Sequence, residues 1–408
     1  MDNFFIWARE VINIGSRDMK LFYEDNKLKL EKIFGNDSSQ VFSNSKTEFD
    51  SERFLNLMLD LGRLYFSNKI IDKIVNMGYD QGLIDEIKHK IKSSRAAYIT
   101  YDSKEYPDLL RNVYDPPYLL YYYGDISLVN KYPLLSVVGA RKCTDYGKNA
   151  TKYLLKDLCM DGIVIVSGLA SGIDSYAHIY CMENNMPTIA VMGTAIDEIY
   201  PKSNSKLFRE ILDKGGLIIA ETGPGGKTFR SSFAMRNRII AGLSRGILVV
   251  EAGRKSGSLI TATYGVDNGR EVYLVPGSIF SDLSYGCNEM IGKGGKIVLS
   301  SRDILEDYED FYGLDYFNNK KINENTGNGG YICDNIEVDK LRGDEFSDYE
   351  KDILKLLLEK GPLEIDKISL YLKLEIGEVI FYVNNLTMQD YIFEVGINTY
   401  QANKVLIL

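Results

Sequence analysis

LLSVVGARKCTDYG (134–147) and IVIVSGLASGID (163–174) decide the fold. Each begins as a short run of aliphatic and β-branched residues with no polar alternation, and each run stops at a glycine. That is how a strand buried on both faces of a parallel sheet reads. Working outward, the same pattern recurs as TIAVMG (188–193), LIIAET (217–222), ILVVEAG (247–253), EVYLVPG (271–277) and KIVLS (296–300). Helix-like segments such as 146–160 and 203–214 separate the runs. The expected fold class is therefore α/β, a Rossmann-like doubly wound, mostly parallel sheet, whose ligands bind beyond the carboxyl ends of the strands.

Beyond this segment the chain changes character. The stretches RFLNLMLDLGRLYF (53–66), IIDKIVNMG (70–78) and LIDEIKHKIK (83–92) have helical periodicity, and residues 1–95 show no convincing strand. Four regions are expected: a small helical domain at 1–95, the Rossmann-like domain at 96–305, an acidic linker at 306–345 and a winged-helix-like domain at 346–408. The last rests on helical patterns at 348–360, 365–372 and 378–388, followed by a candidate hairpin, YIFEVGINTYQAN (391–403).

Composition narrows the function. The chain has 408 residues and is 45% hydrophobic and 26% charged, which excludes disordered, collagenous and coiled-coil classes. No apolar run is long enough for a membrane span, and MDNFFIWARE does not read as a signal peptide. The cysteines (143, 159, 181, 287 and 333) are scattered and odd in number, and there are two histidines. These features point to a cytoplasmic protein without a metal site. The net charge of −9 conceals a division. Residues 136–300 hold 19 Lys/Arg against 15 Asp/Glu and are net basic, while every flanking region is net acidic. An anion site confined to the sheet domain fits that asymmetry.

Local motifs narrow it further. The first strand runs into Gly139-Ala140-Arg141, so the dinucleotide fingerprint GxGxxG is missing, and no nucleotide cofactor is expected. GGKT (225–228) lacks the glycine spacing of a Walker A loop, with Glu221 where the first glycine would stand. What remains is a set of small residues at strand ends, Ser167 and Gly168 in one loop and Ser256, Gly257 and Ser258 in another, where backbone amides can approach phosphates. Between them TFRSSFAMRNRIIAGLS (228–244) supplies Arg230, Arg236 and Arg238 around Phe233, with Asn237 among them. Arginine offers planar donors to phosphate, and an aromatic offers a face for a base. Arg141 would add a cation on the same edge. At least one arginine of this segment is expected to be structural, with Arg238 the first candidate. Asp174 and His178, four apart, could share a helix face for acid–base chemistry. With no nucleophile beside them, they are read instead as bracing the turn.

Six motifs in order resemble the DprA/Smf family of bacterial DNA-processing proteins: SVVGARKCTDYG (136–147), IVSGLASGIDSYAH (165–178), YP (200–201), FAMRNRIIAGLS (233–244), VVEAGRKSGSLITA (249–262) and VPGSIFSDLSYGCNEMI (275–291). YPDLLRNVYDPPYLLYYYG (106–124) is similar to the family's lead-in to the sheet. The resemblance implies a protein that binds single-stranded DNA, forms a homodimer, protects incoming strands and loads the recombinase RecA during natural transformation. It implies binding positions at Arg141, Arg230 and Phe233. Ala234 stands where the family usually has proline, and Ala195 where it has glycine. A more distant resemblance is to the lonely-guy phosphoribohydrolases, whose motif PGGxGTxxE corresponds here to AGRKSGSLIT (252–261). Thr261 occupies the place of their glutamate, which argues against catalysis. A small-nucleotide hydrolase or sensor is the competing reading. From Leu374 to Asn403 there is no Lys or Arg, so the tail is expected to contact protein or to pack, not to grip duplex DNA.

Overall fold

The computed structural model describes residues 1–34, 51–312, 347–360, 363–389, 391–396 and 399–402. The chain divides into two compact units, Met1–Ile322 and Asn323–Leu408. In the first unit, helices α1 (Asp2–Ile6), α2 (Ser16–Phe34), α3 (Ser51–Gly62), α4 (Asn68–Met77) and α5 (Gln81–Ser93) precede the sheet, with a π-helical turn at Trp7–Ile12. Strands β1 (Ala97–Thr100) and β2 (Leu119–Gly124) follow, with short helices α6 (Asp108–Arg111) and α7 (Leu128–Lys131). Then come β3 (Leu134–Val138), α8 (Asp145–Met160), β4 (Val164–Ser167), α9 (Ile173–Glu183), β5 (Thr188–Ala195), α10 (Ser205–Asp213) and β6 (Leu217–Thr222). The unit continues through α11 (Arg230–Leu243), β7 (Gly246–Val249), α12 (Gly257–Asp267), β8 (Glu271–Leu274), α13 (Tyr285–Ile291), β9 (Lys296–Ile297) and α14 (Arg302–Tyr312).

All seven expected strands form one nine-stranded sheet in the order β1-β2-β6-β5-β4-β3-β7-β8-β9. From β6 to β9 every pairing is parallel. The strands alternate between two cores. Leu135, Val137, Ile165, Leu248, Val250 and Tyr273 face a cluster with α8, α9 and α14. Leu134, Val138, Val164, Val166, Ile247 and Val249 face another with α10, α11, α12 and the N-terminal helices. Burial on both faces is why the runs carry no polar alternation. Strand order reverses between β3 and β7: the chain leaves β3 into α8 on one face and β7 into α12 on the other. That divergence opens a crevice at their carboxyl ends.

Two strands carried no clear signal in the sequence. β1 and β2 pair antiparallel with each other, and β2 with β6, extending one edge of the sheet. The N-terminal helices share a core with this edge. The Phe5 and Tyr118 rings lie 6.1 Å apart, the Tyr118 hydroxyl donates to Ile14 O at 2.9 Å, and the Tyr121 hydroxyl donates to Glu10 at 2.7 Å. Residues 1–95 thus belong to the same compact unit as the sheet.

The expected linker begins with structure: α14 takes its first residues because Ile304, Leu305 and Tyr308 recur at helical spacing and are buried. The rest of that segment, 313–345, lies outside the described residues, as do 397–398 within the expected hairpin and Cys333. The tail contains helices Asp348–Lys360, Ile365–Leu372 and Ile376–Met388 and a three-stranded antiparallel sheet. These close on their own core of Ile353, Leu357, Ile368, Val379 and Val383. Among the described residues no helix is long and apolar enough to cross a membrane, and no cluster of side chains suits a metal ion.

Candidate nucleic-acid interface

A cavity of about 860 Å³ occupies the crevice at the strand reversal. It is lined by Val138 and Gly139, where β3 ends, and by Lys255, Ser256, Gly257 and Ser258, which lead into α12. Ser256 caps that helix, its hydroxyl accepting from the Ser258 amide at 3.4 Å. The first turns of α11 form the remaining wall. Arg230, Phe233, Ala234 and Asn237 recur at the i, i+3, i+4, i+7 spacing of one helix face, and all four line the cavity. Two helix N-termini therefore converge on it, and neither carries an acidic residue in its first turn. The positive ends of the two helix dipoles favour an anion.

The exposed cations on the rim are Arg141, Arg230 and Lys255. A guanidinium at the start of a helix opposes the helix dipole, so Arg230 gains from a bound anion. Phe233 is half-buried, with its ring 5.2 Å from that of Tyr200, which is 51% exposed. The pair gives the mouth of the cavity an aromatic face of the kind on which bases stack.

Three side chains expected at the site are engaged elsewhere. Ser167 is fully buried and its hydroxyl donates to Val137 O at 2.6 Å, a bond between β4 and β3. Arg238 is 4% exposed and donates to Asp115 at 3.0 Å and Glu221 at 2.7 Å. It is absent from the large cavity's lining. Arg236 does line the cavity, but its guanidinium donates to Gly168 O and Val191 O and is only 7% exposed. Burial lowers Arg236 to about 10 against the pull of Asp174, leaving it charged at neutral pH. Arg236 therefore ties the loop after β4 to β5 through Nη1, while Nε donates to Asn237 at 3.2 Å.

Gly168 explains this arrangement. A Cβ there would stand 2.6 Å from Asp174 Oδ2 and 2.7 Å from both terminal nitrogens of Arg236. The missing side chain lets the loop after β4 close over both side chains. Asp174 is buried and accepts from the Gly168 and Ala170 amides at 3.2 and 3.4 Å. Burial raises its carboxyl, against the opposing pull of Arg236. His178 points to β5, where Nδ1 lies 2.8 Å from Thr188 Oγ1, and burial pushes it down to about 3. Asp174 thus braces the turn after β4, whereas His178 ties α9 to β5. Glu251, which follows β7, is likewise internal, accepting the Thr144 amide at 2.9 Å at the start of α8.

Sequence reasoning missed Lys255 and Tyr200 as lining residues. Lys255 was legible as a cation directly before the Ser-Gly-Ser turn. Tyr200 was not, since its loop is brought to Phe233 only by the tertiary fold.

A profile of the family described as DNA recombination-mediator protein A matches residues 97–309. The DNA processing protein DprA of Streptococcus pneumoniae is 44% identical over 204 residues, 50% of this chain and 71% of that protein. Protein Smf of Synechocystis is 36% identical over 329 residues, 77% of this chain and 82% of that one. The X-ray structure of the Streptococcus pneumoniae protein superposes with a TM-score of 0.62 at 31% identity, covering 75% of this chain and 98% of that one. Since the family profile spans more than half of the sequence and relatives are 36–44% identical to it, the chain belongs to the DNA recombination-mediator protein A family, that of the DprA and Smf proteins.

Proposed function

We propose that the groove binds single-stranded DNA without regard to sequence, and that the protein acts by binding rather than catalysis. One observation carries this reading: Arg141, Arg230 and Lys255 share a single cavity with Phe233 and two helix N-termini. Cations beside a stacking face fit a flexible polynucleotide better than a small nucleotide, which needs fewer charges. Gly257 supplies an amide donor, and Asn237 joins the walls by donating to Gly257 O at 3.1 Å. Among the described residues the one carboxylate lining the groove, Asp174, is already held by two amides, and Thr261 is 1% exposed. Glycosidic hydrolysis therefore lacks an acid–base group at the place where the lonely-guy enzymes carry one.

In this reading the protein works in the cytoplasm as a homodimer, shields incoming strands and passes them to RecA during natural transformation. The recombination-mediator family supports that role. A salt titration of fluorescent oligo-dT binding tests the groove. Arg141→Ala and Arg230→Ala are each expected to lower affinity by about tenfold and to reduce the salt slope by about 0.7 for each phosphate that is no longer neutralised. Unchanged affinity in both variants refutes the assignment. Release of ribose phosphate from nucleoside monophosphates, with no oligonucleotide binding, would replace it by the hydrolase reading.

A further inference from the structure

From Arg141 onward the charge balance of the chain inverts. Residues 141–156 carry five cations (Arg141, Lys142, Lys148, Lys152 and Lys156) and one carboxylate, Asp145, in a chain of net charge −9. Lys148, Lys152 and Lys156 recur every four residues along α8, about 6 Å of helix axis apart. Like charges at that spacing repel one another, and Lys148 stands in the first turn, where the helix dipole also opposes a cation. Exposed cations on other helices have a partner one turn away: Lys206 pairs with Glu210 at 3.4 Å, Lys293 with Glu289 at 2.8 Å and Arg302 with Glu306 at 3.3 Å. Among the described residues Arg141, Lys142, Lys148 and Lys152 have no carboxylate at ion-pair distance. A polyanion laid along this row would remove the repulsion.

The row is held in place and is continuous with the groove. Lys148 Nζ lies 5.1 Å from the centre of the Tyr176 ring and Lys152 Nζ 5.7 Å from that of Tyr180. The two rings stack on α9, 5.8 Å apart and 16° from parallel. A ring face steadies an ammonium without cancelling its charge. α9 opens against the groove wall: the Ile173 amide donates to Ala140 O at 3.2 Å, and a Cβ at Gly172 would stand 2.6 Å from Arg141 O. Tyr176 and Tyr180 follow one and two turns beyond that junction. Arg141 lines the groove, and Lys142 beside it is exposed. The acidic neighbours are Asp145, ahead of Lys148 on α8, and Glu183, the last residue of α9, whose charge reaches the Tyr180 hydroxyl.

We propose that the α8–α9 face beside the groove is a phosphate track, in which Lys142, Lys148 and Lys152 neutralise successive phosphates of the same single strand after it passes Arg141. The inference rests on the single-strand reading of the groove. The full-length protein is titrated with thymidine oligomers of increasing length over a range of salt. In the wild type the salt slope steepens with length until the track is filled. In the Lys148→Gln/Lys152→Gln variant that slope is reduced by about 1.4 for long oligomers, two phosphates at about 0.7 each, with a loss of affinity of about fivefold or more. The shortest oligomers bind as they do to the wild type, and Lys148→Arg/Lys152→Arg restores the slope. Lys152 is exposed, so Lys152→Gln alone leaves the fold intact and is expected to lower the slope by about 0.7. Lys29→Gln/Lys206→Gln removes the same net charge from exposed positions on α2 and α10 and is expected to change nothing. If the α8 variants bind long oligomers with the wild-type slope, or the control pair loses as much, the track is refuted while the groove stands. If Arg141→Ala and Arg230→Ala both leave binding of the shortest oligomers unchanged, the single-strand reading itself falls.

Discussion

His178 is fully buried in α9, with a hydrogen bond to Thr188 and none at Nε2. In the unfolded chain its imidazole gains a proton below about 6.5, whereas the folded protein holds it neutral down to about 3. Its contribution to stability is therefore present above pH 6.5 and is lost as pH falls toward 3, by about 1.4 kcal/mol per pH unit. Asp174 acts with the opposite sign, since its raised carboxyl takes up a proton first in the folded state. His178→Asn isolates the histidine: denaturant titrations between pH 6.5 and 4 are expected to show a shallower acid loss than the wild type. At this scale the candidate site was partly legible. Arg230, Phe233 and Asn237 share a helix stripe that the sequence displays. Arg236 and Arg238 fall outside that stripe, so grouping the arginines by proximity in the chain overstated their common role. Which carbonyl or carboxylate would hold each was not legible, because Gly168, Val191, Asp115 and Glu221 are brought there by other elements.

Among the elements, the parallel strands were the most legible, since burial on both faces writes a continuous apolar run. β1 and β2 were not: AYIT has four residues, and LLYYYG mixes aliphatic and tyrosyl positions at an antiparallel edge. The tail's helices match their periodicity, although the third begins at Ile376, two residues before the expected start, with Glu378 accepting the Glu375 amide at 3.1 Å. That helix exposes Ile376, Ile380 and Phe381 and bears no Lys or Arg. Phosphates would find nothing there to neutralise them, whereas an apolar partner would find a matching surface. A chain ending at Ile322 is accordingly expected to bind oligo-dT within about twofold of the full protein at matched salt, if the groove carries the affinity. A weakening of about a hundredfold in the same titration would assign the strand to the tail.

Over the whole molecule, the first 95 residues stood out in the sequence as a separate helical body, because amphipathic helices do not announce what their apolar face meets. Trp7, Phe4, Phe5 and Phe22 are fully buried in the same core as β2, β5 and β6. Arg9 and Ser16 also reach Glu221 from that side, at 3.6 and 3.1 Å. Trp7→Ala is expected to cost about 3–5 kcal/mol. A single cooperative transition for residues 1–322, followed by near- and far-ultraviolet circular dichroism, is the matching check. Two separated transitions would show that the helices fold apart from the sheet.

At residue 168 the fold leaves no room for even a methyl group, because the Asp174 carboxylate and the Arg236 guanidinium both crowd the backbone there. The cationic rim hangs on that junction, since α11 carries both Arg236 and Arg230. A heritable change of one codon there would unseat the groove while leaving every rim cation intact, and a survey of charged residues alone would overlook it.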